Sequence, residues 1–483
     1  MQYKIVLVLL GLVMFLGCKK DPYVEETGYP DAIGDILTTK CATSGCHNQE
    51  SYLLASELNL SSMASLLKGG HSGASVIPFA VNQSSLLQFI NTYTELGLQS
   101  TPTMPLNADP LTFDEVTLFR NWILAGCPDR NGNIPFSANP QTRRKIYVSN
   151  QGCDLVSVID AESKVIMRNI TVGHDQNIIE LPHMLQLAPD GKHWYACFVN
   201  GTFLQQYDAV TDKLTGEVNI GQGSWNVVRI SSDSKTAFVS DLSPNGKLVI
   251  VDLTTLTVKS MLSEPGLLSN PHGIAVSNSG DTIYITANFG NMIYRYVPKQ
   301  FSLEPISIQK GQNPVTIPFL LDPHEVSFDK DESHYFVTCQ ASNEVRVMDR
   351  KMDTLVAVIP VGKYPLEMAW NKDKSMIYVG CQEDVDQVNN FYRGSVYCIN
   401  PTTYAVEHVI YANLFQPHGL IVDEEHNLLY IASRNADPSG PAPHHVSGCS
   451  GRNGYYTVID LKTYKTVVEA FELSSDPYSV MYK

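Results

Sequence analysis

Hydrophobic and polar positions follow two rhythms along this chain, and the change falls near residue 140. From Lys145 onward, apolar residues come in short runs, alternating or unbroken, separated by Gly, Asn, Asp and Pro. That pattern predicts strands joined by tight turns. One run, Lys145-Ile146-Tyr147-Val148-Ser149-Asn150, returns as Thr236-Ala237-Phe238-Val239-Ser240, Ile283-Tyr284-Ile285-Thr286, Tyr335-Phe336-Val337-Thr338, Met376-Ile377-Tyr378-Val379-Gly380 and Leu429-Tyr430-Ile431-Ala432-Ser433. A second run ending in Asp follows, as in Val158-Ile159-Asp160, Val249-Ile250-Val251-Asp252 and Val458-Ile459-Asp460. A repeat of about forty residues built from short strands predicts a propeller with four strands to a blade.

The innermost strand of each blade should precede the Ile-Tyr-Val-type run, and apolar segments stand there around Met184, Val227, Gly273, Glu325, Glu367 and Gly419. The first repeat lacks such a strand, because it begins directly at Lys145. Asp476-Pro477-Tyr478-Ser479-Val480-Met481-Tyr482-Lys483 is an orphan innermost strand. Together the two fragments complete one blade, so residues 145–483 should form a closed ring of seven blades with no open edge.

Before residue 135 the rhythm is helical. Asp31 should cap a short helix with Ile33, Ile36 and Leu37 on one face, and Ser84-Ser85-Leu86-Leu87-Gln88-Phe89-Ile90 should form a second. Thr112-Phe113-Asp114-Glu115 has the form of a capping box, followed by Val116, Phe119, Trp122 and Ile123 at helical spacing, with Gly126 as the stop. The fold expected is multidomain: a small all-α unit over 29–134, a linker over 135–144, and the all-β seven-bladed propeller.

The first residues predict export. Lys4 precedes an apolar run from Ile5 to Leu16, too short to span a bilayer and suited to a signal peptide. Phe15-Leu16-Gly17-Cys18 resembles a bacterial lipoprotein signal. That resemblance implies a signal over 1–17, lipidation at Cys18 and a polar tether over 18–28, with membrane contact through the lipid only. Net charge is −15, which argues against a nucleic-acid or anionic-lipid surface partner.

The candidate chemistry of the first unit centres on Cys41-Ala42-Thr43-Ser44-Gly45-Cys46-His47. Two cysteines with a histidine directly after the second form the pattern by which c-type haem is held, here with four intervening residues instead of two. A local Cys41–Cys46 disulfide, or a metal site using His47, is the alternative. Met104, between Pro102 and Pro105, sits on a stiff loop of the kind that can hold a thioether against iron. His71 is the competing ligand, and a packing role is the plainer reading of Met104.

Taken in order, Cys41…Cys46-His47, Leu58-Asn59-Leu60, Lys68-Gly69-Gly70, Val76-Ile77-Pro78, Ser84-Ser85-Leu86-Leu87, Met104-Pro105 and Phe119-Arg120-Asn121-Trp122-Ile123 resemble the planctomycete-type cytochrome c domain. The resemblance implies covalent haem c on Cys41 and Cys46, with His47 and Met104 as iron ligands. The propeller repeats resemble the YVTN type, which implies architecture and not chemistry.

The slot just before each innermost strand reads His183, Asn226, His272, His324, Leu366, His418 and Tyr478, and equivalent positions should form a ring at one mouth of the channel. Four histidines in one ring make a candidate second metal site, copper being one occupant, while a turn habit copied by duplication is the alternative. The loop over 435–454 breaks the repeat and carries His444, His445 and Cys449, which could extend a hub site. The plainer expectation is a Cys153–Cys449 disulfide, or a Cys127 bridge to either, with Cys197, Cys339 and Cys381 as buried thiols.

The function expected is electron transfer at the bacterial cell envelope, on the periplasmic or cell-surface side, with a redox protein or a small molecule as donor and acceptor. An oxidoreductase with its substrate at the propeller mouth, and a binding scaffold with an accessory haem, are the other two readings. No catalytic residue is legible.

Overall fold

The computed structural model describes residues 27–137 and 142–483. The expected signal, Cys18, the tether up to residue 26 and residues 138–141 of the linker lie outside the described residues.

Residues from Lys145 on form seven four-stranded antiparallel sheets, each with sequential strand order apart from the composite first blade. There the last strand, Pro477–Tyr482, pairs antiparallel with Lys145–Asn150, setting Ile146 opposite Tyr482 and Val148 opposite Val480. The other innermost strands are Pro182–Leu187, Trp225–Ile230, Pro271–Val276, Pro323–Phe328, Pro365–Trp370 and Pro417–Asp423. Second strands such as Lys145–Asn150 are buried at every position, because both faces pack on neighbouring blades. This is why their sequences read as unbroken apolar runs and not as alternation. Outer strands such as Thr257–Leu262 are largely exposed.

The Asp that ends five of the seven third strands serves the turn that follows. Asp208 Oδ1 accepts from the Thr211 amide at 2.7 Å, and Asp460 Oδ1 from the Lys462 and Thr463 amides at 2.8 Å. The residue that completes the turn, Asp212 or Tyr464, is left-handed at φ 59° or 54°. Asp212 is also used across a blade boundary: Lys145 Nζ lies 2.6 Å from its Oδ2 and the Tyr147 hydroxyl donates to its Oδ1 at 2.7 Å. Both ends of that ion pair are nearly sealed, at 1% and 3% exposed. Losing one partner would strand a buried charge, at a cost of about 3–5 kcal/mol.

Among the described residues, the N-terminal region holds four short helices, α1 (Asp31–Ile36), α2 (Met63–Leu66), α3 (Ser85–Ile90) and α4 (Phe113–Leu124), joined by long irregular segments around their own core. It is less helical than an all-α unit would be. The α4 capping box forms, with Thr112 Oγ1 accepting from the Glu115 amide and Glu115 from the Thr112 amide. Helix α1 departs from expectation: Pro30 holds the cap position with no side-chain bond, and Asp31 is the first helical residue. Ser84 does not cap α3 but cross-ties its own loop, accepting from the Ile77 amide at 2.9 Å and donating to the Ala80 carbonyl at 2.8 Å.

This region rests on the outer strand of the seventh blade, Lys465–Ser475. Ile77 and Ala80 join a buried cluster with Val468 and Leu473. The Glu472 amide donates to the Ser72 carbonyl at 3.0 Å. Gly73, at φ 95°, lies under Phe471, so close that a Cβ would sit 3.0 Å from the ring. The 435–454 loop folds over the same region, the Val446 amide meeting Ser100 Oγ at 3.2 Å and the His444 ring lying 4.9 Å from Phe89. Its far end is pinned to the first blade by a Cys153–Cys449 disulfide, while Cys127 is a buried free thiol.

Two outcomes follow from this closure. Deleting residues 477–483 removes the inner partner of Lys145–Asn150, so limited proteolysis should cut within 145–171 before any other blade. Replacing Cys153 and Cys449 by Ser should lower stability by about 2–4 kcal/mol, read as a lower melting temperature that reductant reproduces in the native protein but not in the variant.

Candidate functional site

Two places gather chemistry-bearing side chains, one in the helical region and one on the propeller axis. In the first, α1 runs on into a wider turn, Leu37–Cys41, which delivers Cys41 into the core. The four residues after it are absorbed by a turn at Gly45, φ 81°, in which the Cys46 amide donates to the Thr43 carbonyl at 3.0 Å. The His47 amide then returns to the Cys41 carbonyl at 3.2 Å. The long gap between the cysteines is thus taken up locally. Both thiols are free, Cys41 buried and Cys46 exposed, so no local disulfide forms. Burial pushes the Cys41 thiol up to about 11, against the pull of the Lys40 charge, and proximity to Cys46 adds to the rise.

His47 Nδ1 lies 2.9 Å from the Leu58 carbonyl oxygen. A carbonyl only accepts, so Nδ1 carries the proton and Nε2 keeps its lone pair. Lys40 Nζ meets Glu115 Oε1 at 2.6 Å, tying the cysteine turn to the first turn of α4. The Lys40 hydrogen bond, followed by that of the Thr112 amide, holds the Glu115 carboxyl below its usual range. Met104 is half-buried against the core that contains Cys41, its amide held by the Phe89 carbonyl at 2.8 Å. His71 turns instead to Glu57, 3.6 Å away, and both are exposed. Leu53 and Leu54, in a 3-10 turn after His47, and Leu106, after Met104, are unusually exposed for large apolar side chains.

On the axis, the seven slot residues are the second residues of the innermost strands and lie inside them, not just before them as the sequence suggested. All seven are buried. Their rings close a circuit: Tyr478 to His183 at 4.1 Å, His183 to His272 at 5.9 Å, His272 to His324 at 3.9 Å, His324 to His418 at 5.8 Å and His418 to Tyr478 at 3.5 Å. The sequence expected a ring at an open mouth, and the structure has a packed tier of aromatic rings. Nδ1 of all four histidines has no hydrogen-bond partner, nor does Nε2 of His418. Burial, above all, pushes their basicity down, His272 to about 4 and the other three well below the usual imidazole range. Neighbouring imidazoles add to the effect at His183 and His324, and Arg434 adds at His183 and His418.

Among the described residues, no three His, Cys, Asp or Glu side chains converge as a metal site would require. His444 and His445 do not extend the hub. The His444 amide donates to Glu472 and its ring faces Phe89, while His445 forms an ion pair with Glu472, over the helical region.

Sequence reasoning missed a second tier, further along the same innermost strands. Arg229 Nη2 meets Glu325 Oε2 at 3.2 Å and its Nη1 meets Met184 Sδ at 2.8 Å, with Glu367 nearby. The available signal was charge at positions of innermost strands that are otherwise apolar.

The histidine tier makes stability pH-dependent with a definite sign. An unfolded histidine titrates near 6.5, and His272 in the fold near 4. As pH falls, the unfolded chain takes the proton first, so this stability is complete above about 6.5 and is lost towards 4. Each buried imidazole contributes about 1 kcal/mol per pH unit inside that window. His272→Asn should therefore show a shallower fall in melting temperature between pH 7 and pH 5 than the native protein.

Comparison with protein families and with curated protein sequences finds no match. Among solved structures, a functionally unknown protein from Desulfotomaculum acetoxidans is similar at 16% identity and a TM-score of 0.52, over 70% of this chain and all of its own. Kuenenia stuttgartiensis hydrazine synthase is similar at 16% identity and a TM-score of 0.46, over 63% of this chain and 90% of its own. At such identity the first likeness speaks to a shared fold alone.

Proposed function

We propose that this chain is an exported, lipid-anchored electron-transfer protein of planctomycete cytochrome c type, carrying one haem c on Cys41 and Cys46. The observation that carries the reading is the arrangement of His47. Its Nδ1 is occupied by the Leu58 carbonyl, which fixes the ring and leaves Nε2 as the nitrogen that would hold iron. The two cysteines on either side of its turn are free thiols, as thioether attachment needs. Met104 is held by its backbone against the same core and offers a soft sulfur as the second ligand.

Haem c, when bound, supplies one-electron redox chemistry. The protein's part is to orient and to exclude water. The Leu58 carbonyl fixes the His47 ring, the Lys40–Glu115 pair fixes the cysteine turn against α4, and Leu53, Leu54 and Leu106 give apolar surface to cover a flat ligand. The partner is a redox protein or a small electron donor or acceptor reaching this region at the cell envelope.

The test is production in a bacterial periplasm equipped for haem attachment. The native chain should show a reduced-haem absorption band and an intact mass raised by one haem. Cys46→Ala should lose covalent attachment at one position, and Cys41→Ala with Cys46→Ala should lose all of it. Met104→Ala should keep the haem and lower its midpoint potential. A native protein without the band and the mass increment overturns the reading.

A further inference from the structure

Beneath the packed histidine tier the propeller channel reopens into a cavity of about 480 Å³, reaching from His418 and Tyr478 to the hairpin at Ala188 and Pro189. That is within the usual range for small-molecule sites. His418 lines this cavity, is 1% exposed, and has no partner for either ring nitrogen. Glu367 also lines it, and its Oε1 is buried without a partner. A buried polar atom left unpaired is costly to a fold, and here two residues facing one cavity leave three such atoms.

The charges around them decide what would fit. Glu325 is already balanced, one oxygen meeting Arg229 and the other accepting from the Val326 amide at 3.0 Å. Both terminal nitrogens of Arg229 are engaged, by Glu325 and by Met184. Both terminal nitrogens of the Arg229 that lines the cavity are thus committed, and Glu367 Oε1 and one nitrogen of the neutral His418 remain as unpaired acceptors. An anion would meet the Glu367 carboxyl. From these contacts we propose that the propeller channel binds a small organic ammonium cation, its N–H groups donating to Glu367 and to the His418 imidazole. This does not rest on the haem reading, since the two sites share no residue.

Binding carries a proton balance. Glu367 is faced by Glu325 of the fifth blade, Arg229 of the third, His418 of the seventh, and Tyr478 of the first. Burial chiefly, and then the Glu325 charge, push its carboxyl up to about 8, against the pull of Arg229. In the free protein at pH 7 it therefore carries a proton. A bound ammonium supplies the missing countercharge, so the carboxylic acid becomes a carboxylate paired with the ammonium and one proton leaves to solvent. His418 stays neutral throughout, because burial holds it well below its usual range.

The experiment is calorimetric titration of the full chain with methylammonium, at pH 7, in phosphate and in MOPS, whose ionisation heats differ. One site per chain is expected, with release of close to one proton. Apparent affinity should rise about ninefold from pH 6 to pH 7, about fivefold from pH 7 to pH 8, and level off above. Tetramethylammonium, which has the charge but no N–H, should bind at least about tenfold more weakly, and acetate should give no heat. Glu367→Gln, with its melting temperature checked, should abolish proton release and weaken binding at least about tenfold. His418→Phe should weaken binding and keep the proton release. Absence of heat at millimolar methylammonium, binding without proton release, or equal binding of acetate overturns the proposal. Should Glu367→Gln fail to fold, the tetramethylammonium and pH series on the native chain decide.

Discussion

The antiparallel pairing of Pro477–Tyr482 with Lys145–Asn150 is the constraint on which the remaining geometry depends. It makes seven sheets into a ring, and a ring forces the second residue of every innermost strand into a common tier. The histidine and tyrosine circuit is therefore a product of closure as much as of the residues themselves. The same seam is reinforced by the buried Lys145–Asp212 pair, which joins the first blade to the second, and by the disulfide between the first blade and the seventh. Each interaction alone is of ordinary strength. What unites them is that they act across blade boundaries, where an open array would fray.

The blade count and the composite blade could be read from the sequence because they depend on pattern, and pattern survives in a single chain. A repeat fixes the number of sheets, and a missing strand at one end with a spare at the other fixes the joint. The hub was harder. Equivalence of the slot residues was legible, but whether their rings line a hole or fill it depends on blade tilt and on ring rotamers, which no spacing encodes. The pairing of Arg229 with Glu325 was hidden for a similar reason, since the two stand on different blades and 96 residues apart. The Asp31 cap failed in a different way: the residue type was right, yet Pro30 took the cap position, while the Thr112 capping box formed.

In the helical region, the order of landmarks was legible and the consequence of the long cysteine gap was not. Gly45 absorbs the extra residues in a turn that brings the His47 amide back to the Cys41 carbonyl. The region is also less autonomous than its separate core implies. Phe89, whose carbonyl holds the Met104 amide, faces His444 from the propeller loop, and Glu472 of the seventh blade meets Ser72, His444 and His445. Any change at the propeller loop is therefore one residue removed from the Met104 backbone.

That docking arrangement sets an order of events during synthesis. The helical region emerges first and has its own core, whereas the strand it leans on, Lys465–Ser475, is among the last to be made. The seam that closes the ring comes later still. For most of the chain's assembly, Cys41, Cys46 and His47 therefore stand on a small piece with no neighbour. The propeller is in effect a late-arriving support that meets Ser72, Ile77, Ala80 and Phe89, and it leaves the exposed Cys46 open after the ring shuts.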